Sequence, residues 1–539
     1  MADIPVEEVD IPVTSVALRH GDRIILASGE TSPGVRTPVV ACGRLKNHIK
    51  RMGWLDILVI VLYFAILGWM GVHFSKKQKN ADDYFKGGGR IPWFIVGLSI
   101  FGTGLSAITF MSIPAKAYAT DWSYLLFNAG IVLVVPLIVS VFIPFFRRLN
   151  VTTAYEYLEL RFSPLVRVIC SIAFIIYQSG RMGVVLLLPA IALNVVTGFN
   201  IVLCISLMGM LALIYTYMGG IEAVAWTDAL QVVVLLGAAV SVVVSVFSSL
   251  DGGAAGVLDI AAADGKFNLG SLRFDLRQST IWTVLIATVF TNITTYGTDQ
   301  TIVQRYLTTK TEQGARKGVY TNAILCIPAT LLFFFVGTCL YVFFKTHPME
   351  LTPSITDADA ILPWYVSIHI PSGVMGLVIA GIFAAAMSTI SASMNSAATA
   401  YVTDIHCKVA SSFDTFKAAK AATVIIGVMG LAFALMMASW DIKSLWDEFS
   451  KILGILLGGL GGLFLLAFTS RKANSIGALA GLAGCIAVQL TVMHFQLVNL
   501  LLYSAVGFIS CYIIGWVVSV ATGGPRKNVD SLTLKQRNK

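Results

Sequence analysis

Hydroxyl side chains inside an apolar run set the first constraint on chemistry. The stretch 97–118, GLSIFGTGLSAITFMSIPAKAY, is long enough to cross a bilayer, yet Gly102, Gly104 and Pro114 interrupt it and Ser106, Thr109 and Ser112 occupy its middle. Gly and Pro loosen a helical ladder where lipid cannot replace the lost bonds. Such a segment makes sense if its freed carbonyls and hydroxyls face a cavity, as they do in carriers whose sites sit on discontinuous helices. The stretch is therefore expected to form half of a solute and cation site.

A second stretch, GIFAAAMSTISASMN from Gly381 to Asn395, is dense in small residues, which allow close helix contact. It also carries a hydroxyl stripe: Ser388, Ser391 and Asn395 share one helix face, and Thr389 and Ser393 form the adjacent row. Asp228, in GGIEAVAWTDALQ, is a carboxylate in an apolar helix. There it must be paired, protonated or bound to a cation. Hydroxyls, carbonyls and one carboxylate are hard ligands that suit a hard cation. No array of Asp, Glu and His suggests a proton relay, so sodium is favoured over protons.

Arg181, in YQSGRMG, is a guanidinium at membrane depth. It marks a site facing the bundle interior, or it snorkels, or it pairs with a buried carboxylate such as Asp228. Lys116, near the end of the broken stretch, reads as a snorkelling side chain. In TNITTYGTDQTIVQRYL, Asn292, Tyr296, Gly297 and Asp299 break another apolar helix, and Tyr296 could serve as a lid or stacking platform for a sugar-like solute.

The elements that must position these residues follow from composition. The chain has 539 residues, 56% hydrophobic and 12% charged, against roughly 25% charged in soluble domains. From residue 54 onward it holds thirteen apolar segments of membrane length, running from 54–75 to 498–521. The fold class expected is all-α and polytopic. Two broken segments, each opening a set of five helices (91–248 and 280–469), are the pattern of an inverted repeat with its site at mid-membrane. Residues 1–53 form a polar arm in which DRIILASGE reads as a strand leaving into a turn, similar to the last strand of a kelch-type propeller blade, with a disordered arm as the other reading. Residues 522–539 form a short basic tail.

Lys and Arg side chains set the orientation. With 76–90 placed in the cytoplasm, that side holds 23 of the 38 basic residues, and the opposite side holds 13, of which 7 are in the arm. The N-terminus is then outside and the C-terminus cytoplasmic, in a cell (inner) membrane. The basic run RLKNHIKR, residues 44–51, falls on the unexpected side. The net charge of +9 belongs to this loop asymmetry and does not imply a nucleic-acid partner. The eight cysteines are scattered without ligand spacing and read as small core residues. No nucleophile sits beside a base, and Gly87–Gly89 lacks the Lys and Thr of a phosphate loop, so an enzyme is not expected. One chain contains the whole expected site, so a monomer suffices.

The runs ADDYFKGGGRIP, SAITFMSIPAKAYATDW, YTYMGGIEAVAWTD, GTDQTIVQRYL and AAAMSTISASMNS together resemble the sodium/solute symporter family, and within it the bacterial sodium-coupled sialic acid branch. The resemblance spans about residues 54–521 and implies a leucine-transporter-type core of two inverted five-helix repeats, with one helix before and two after. It implies a principal sodium site at Gly102, Leu105, Ala385, Ser388 and Thr389. It further implies an acidic-sugar pocket at Ser106, Thr109, Tyr124, Asn128 and Arg181, with Arg181 on the carboxylate. A second sodium would use Asp228, Ser388 and Ser391, but Ala392 stands where that branch has a further serine. Gly104 and Asn128 also depart from its hydroxyl and longer amide. A symporter of a neutral sugar, an amino acid or another carboxylate is the alternative reading, and a solute sensor is the alternative of another class.

Overall fold

Each expected membrane segment folds as helix because its backbone can satisfy its hydrogen bonds within the segment. The computed structural model describes residues 16–20, 23–32, 35–44, 52–149, 151–351, 357–409, 414–440, 445–525 and 529–534. In chain order the long helices are α1 (Trp54–Ser75), α2 (Trp93–Gly104), α3 (Ile108–Ala119), α4 (Leu125–Leu149), α5 (Pro164–Thr197) and α6 (Ile201–Ser249). They continue as α7 (Ile281–Gly297), α8 (Gln300–Leu307), α9 (Glu312–Thr346), α10 (Val374–Val409), α11 (Thr415–Met437), α12 (Leu445–Thr469), α13 (Ser475–His494) and α14 (Tyr503–Ala521).

Among the described residues, nine helices are long and apolar enough to cross a membrane, or ten if the bent pair α2 and α3 counts as one span. The difference from thirteen segments lies at chain breaks. Helix α6 runs 49 residues but takes φ 55°, ψ −166° at Gly220, so it contains two of the expected segments. A Cβ at Gly220 would lie 2.7 Å from Gln78 Nε2 and 3.0 Å from the Tyr84 carbonyl, and only glycine fits that backbone without strain. The segment at 280–304 divides into α7 and α8, and α12 contributes a shorter apolar stretch, Leu456–Thr469.

Helix α10 is the axis of the bundle, with every residue from Ile379 to Ala400 buried. Small side chains permit this: a Cβ at Gly381 would meet the Cβ of Ala238 on α6 at 2.6 Å. A buried carboxylate fixes each end. Asp56 of α1, fully buried, accepts from the Gly373 and Gly376 N–H groups at 2.7 Å each and from Ser372 Oγ at 2.9 Å, which satisfies the orphan donors of the α10 N-terminus. At the far end Asp404 accepts from Thr153 Oγ1 at 2.7 Å, Ser171 Oγ at 2.6 Å and Arg167 Nε at 2.7 Å. The hydroxyl stripe is therefore held at a fixed height.

Helix α9 packs as tightly against α3: a Cβ at Gly337 would stand 2.2 Å from the Pro114 carbonyl oxygen. Gly337→Val is expected to destabilise the protein by at least about 2 kcal/mol, since overpacking costs roughly that much. The check is a lowered midpoint of thermal unfolding in detergent.

The polar arm contains an antiparallel sheet in the order β1 (Val16–His20), β2 (Arg23–Ser32), β3 (Val35–Arg44). Strand β2 runs past DRIILASGE to Ser32, because Glu30 and Ser32 still pair with Arg36 and Val35 across two register slips. The turn expected at the end of DRIILASGE is therefore not there, since Gly29 and Glu30 pair within the sheet. Most of RLKNHIKR lies outside the described residues. Seven of the cysteines, Cys170, Cys204, Cys326, Cys339, Cys407, Cys485 and Cys511, are free.

Candidate functional site

The break in the first apolar stretch is a bend of 60° between α2 and α3, with Leu105 at φ −80°, ψ 82°. Carbonyls in the last turn of α2 lose their helical partners there. Side chains from α5 and α10 take them up. Ser388 Oγ lies 2.9 Å from the Gly102 carbonyl oxygen, and Thr389 Oγ1 lies 3.4 Å from that of Thr103. The Ala385 carbonyl is 3.3 Å from Ser388 Oγ and 3.4 Å from Thr389 Oγ1.

Five neutral oxygens, from Gly102, Thr103, Ala385, Ser388 and Thr389, thus converge from two helices. They form a hard donor set matched to an alkali or alkaline-earth cation. Leu105 lies on a cavity wall rather than among these bonds, and Thr103 brings a carbonyl that sequence reasoning did not select. A main-chain oxygen leaves no signature in residue type.

Beside this cluster opens a cavity of about 160 Å³. Its wall is built from six helices, with Gly104, Thr109, Asn128, Arg181, Asn292 and Tyr296 among the lining residues. Arg181 is 9% exposed. Its Nη2 donates to the Thr103 carbonyl at 3.0 Å while Nε has no hydrogen-bond partner. Asn128 Nδ2 is likewise buried without one. A buried donor left unsatisfied costs stability, so these two atoms mark where an acceptor-rich ligand would repair the deficit. Among the described residues no carboxylate lines the cavity, and Arg181 is the one cation on its wall. Asp299, which caps α8 by accepting from the Thr301 N–H at 2.7 Å, is buried within Coulombic range of Arg181 without pairing to it.

Gly104 is where the pocket gains room, since a Cβ there would first meet Tyr296 Oη at 3.7 Å. Of the other expected pocket residues, Thr109 is on the wall and its hydroxyl reaches the Gly104 carbonyl at 3.3 Å. Ser106 Oγ is used locally, accepting from the Ile108 N–H at 3.2 Å. Tyr124 Oη is 2.8 Å from Ser279 Oγ, and its ring lies 5.7 Å from Lys116 Nζ. Neither Ser106 nor Tyr124 is on the cavity wall. Sequence reasoning missed Tyr177, Phe127, Thr291, Thr295 and Thr330, which line it. Thr291 and Thr295 stand one helical turn apart on α7, flanking Asn292, and that spacing was the available signal.

Asp228 requires a correction. It does not pair with Arg181: its Oδ2 is 3.2 Å from Arg305 Nη2 and accepts from Ser99 Oγ at 2.6 Å. Arg305 itself is 1% exposed. Such a guanidinium is buried only because a carboxylate meets it. Ser391, on the same face of α10 as Ser388, donates to the Ser388 carbonyl at 3.1 Å.

Comparison with known proteins agrees with this architecture. Residues 84–484 match the sodium:solute symporter family. The sodium/sialic acid symporter NanT of Aliivibrio fischeri is 37% identical over 473 residues, covering 87% of this chain and 93% of that protein. The sodium/sialic acid symporter SiaT of Proteus mirabilis is 36% identical, covering 87% and 95%. A solved structure of a Na+-coupled sialic acid symporter in a substrate-bound outward-open state superimposes with a TM-score of 0.82 at 35% identity, covering 88% of this chain and 99% of that one. With its broken helices, leucine-transporter-type fold and multi-pass membrane topology, the chain belongs to the sodium:solute symporter family and is a sodium-coupled transporter, not an enzyme.

Proposed function

We propose that the protein carries an acidic sugar, N-acetylneuraminate or a close relative, into the cytoplasm together with sodium. One observation carries the reading: among the described residues the cavity wall holds one guanidinium, no carboxylate and two buried donors without a hydrogen-bond partner, Arg181 Nε and Asn128 Nδ2. A carboxylate on Arg181 and a hydroxyl or amide oxygen on Asn128 would satisfy both. The names of the two bacterial relatives support the same substrate class.

In this reading the five-oxygen cluster holds the principal sodium, and Asp228 with Ser388 and Ser391 holds a second. The Thr103 carbonyl is shared: Thr389 approaches it from the cation side and Arg181 from the solute side. An ion that orders this carbonyl also orders the guanidinium, and coupling requires such a differential effect on the two sites. The external N-terminus and the cytoplasmic C-terminus follow from the basic loops, and the membrane is read as the cell (inner) membrane. Residues 1–53 are read as a polar arm preceding the transport core, with a sequence pattern similar to a fragment of a propeller blade.

The test is uptake of labelled N-acetylneuraminate into proteoliposomes with and without an inward sodium gradient. Accumulation that depends on the gradient is expected. Absence of N-acetylneuraminate uptake in liposomes that accumulate a neutral solute with sodium would reject the acidic-sugar assignment.

A further inference from the structure

The two oxygens of Asp228 have unlike surroundings. Oδ2 is engaged by Ser99 Oγ and Arg305 Nη2, whereas Oδ1 is buried without a hydrogen-bond partner. Arg305 is equally enclosed and fully directed: Nε donates to Ser99 Oγ at 2.9 Å and Nη1 to the Thr301 carbonyl at 2.8 Å. The bonds join α2, α6 and α8, so two half-helices from the two repeats meet on one carboxylate. The rest of α8 is tied as closely, with Gln304 Nε2 bonded to Asn395 Oδ1 at 2.9 Å and Thr399 Oγ1 at 3.0 Å. The guanidinium therefore cannot swing away without disrupting α8.

A buried carboxylate without a counter-ion carries a large desolvation penalty. A carrier that releases a cation from such a group and then returns empty would meet that penalty on every cycle. We propose that Arg305 is the built-in counter-ion of Asp228, which neutralises it while no cation is bound and leaves Oδ1 free to receive one. This rests on the reading of Asp228 as a sodium ligand. Its consequence concerns the return step: the empty carrier resets without an unpaired buried charge, and sodium adds to the pair rather than displacing the arginine.

The test needs no solute. The purified full-length protein is melted in choline chloride and in sodium chloride, as wild type, Arg305→Gln, and Arg305→Gln with Asp228→Asn. The single variant should melt several degrees below wild type in choline and recover in sodium, so its sodium-induced shift exceeds that of wild type. Adding Asp228→Asn should restore the melting point in choline and abolish the extra shift. A loss that is equal in both salts and is not rescued by Asp228→Asn overturns the proposal.

A second measurement in proteoliposomes compares net sodium-driven uptake with counterflow, which does not require the empty return. Arg305→Gln should lower net uptake roughly tenfold more than counterflow, and Arg305→Lys, which restores the charge, should narrow that gap. Equal losses in both modes would also overturn the proposal. If N-acetylneuraminate is not transported, the substrate reading fails while the melting data still decide the role of Arg305. If wild type shows no sodium shift, the sodium reading fails, and rescue in choline alone decides whether Arg305 and Asp228 neutralise each other.

Discussion

Replacing Arg181 with lysine is expected to weaken N-acetylneuraminate binding by about two orders of magnitude, the scale lost when one partner of a buried charged contact is removed. The guanidinium has a fixed pose. Nη2 is held on the Thr103 carbonyl at 3.0 Å, and Nε remains available to the cavity. A planar fork held at one corner can present its remaining donors to both oxygens of a carboxylate, while an ammonium offers a point charge with no such match. Lysine keeps the charge, so a purely Coulombic role would show little loss. Alanine removes charge and fork together and should abolish measurable binding. Calorimetric titration at saturating sodium reads the affinity directly, and thermal shift in sodium alone should show that the ion still binds. An affinity within about threefold of wild type in Arg181→Lys would exclude the bidentate contact, because losing one costs more than that, and an equally small loss in Arg181→Ala would place Arg181 away from the solute.

Legibility in the sequence followed the distance between partners. The break at Gly102–Leu105, the hydroxyl row of α10 and the isolation of Arg181 were readable because each is a local conflict: a residue type that lipid or a helix does not tolerate without compensation. The identity of the compensating group was not readable. Asp228 announced that it needed a partner, but the partner, Arg305, lies 77 residues away, on a different helix. Asp56 passed unnoticed inside an apolar segment, although it caps the helix that carries the hydroxyl row. Main-chain ligands such as Thr103 leave no trace in residue type. The cavity wall depends on how six helices cross, and residue spacing fixes only which side chains share a face of one helix.

The hydroxyl row supplies the other large effect. Thr389→Val preserves shape and removes one oxygen, and it is expected to raise the sodium concentration for half-maximal uptake by about tenfold, in line with losing one neutral hydrogen-bonding or ligating group from a buried site. The fold should survive the change. Thr389 Oγ1 makes only long contacts of 3.4 Å, to the Thr103 and Ala385 carbonyls, so little native bonding is lost, and a valine methyl occupies nearly the same space. If the hydroxyl serves the ion, high sodium should restore near-normal solute affinity, because mass action compensates a weakened site. If it instead shapes the pocket, excess sodium will not help and the affinity loss will persist. A tyrosine or arginine on the cavity wall could not produce the first pattern. Sodium dependence measured at several solute concentrations separates the two outcomes. Recovery at high sodium would tie the α10 hydroxyls to the ion, and the same oxygens would then explain why the first broken helix is held open at its bend.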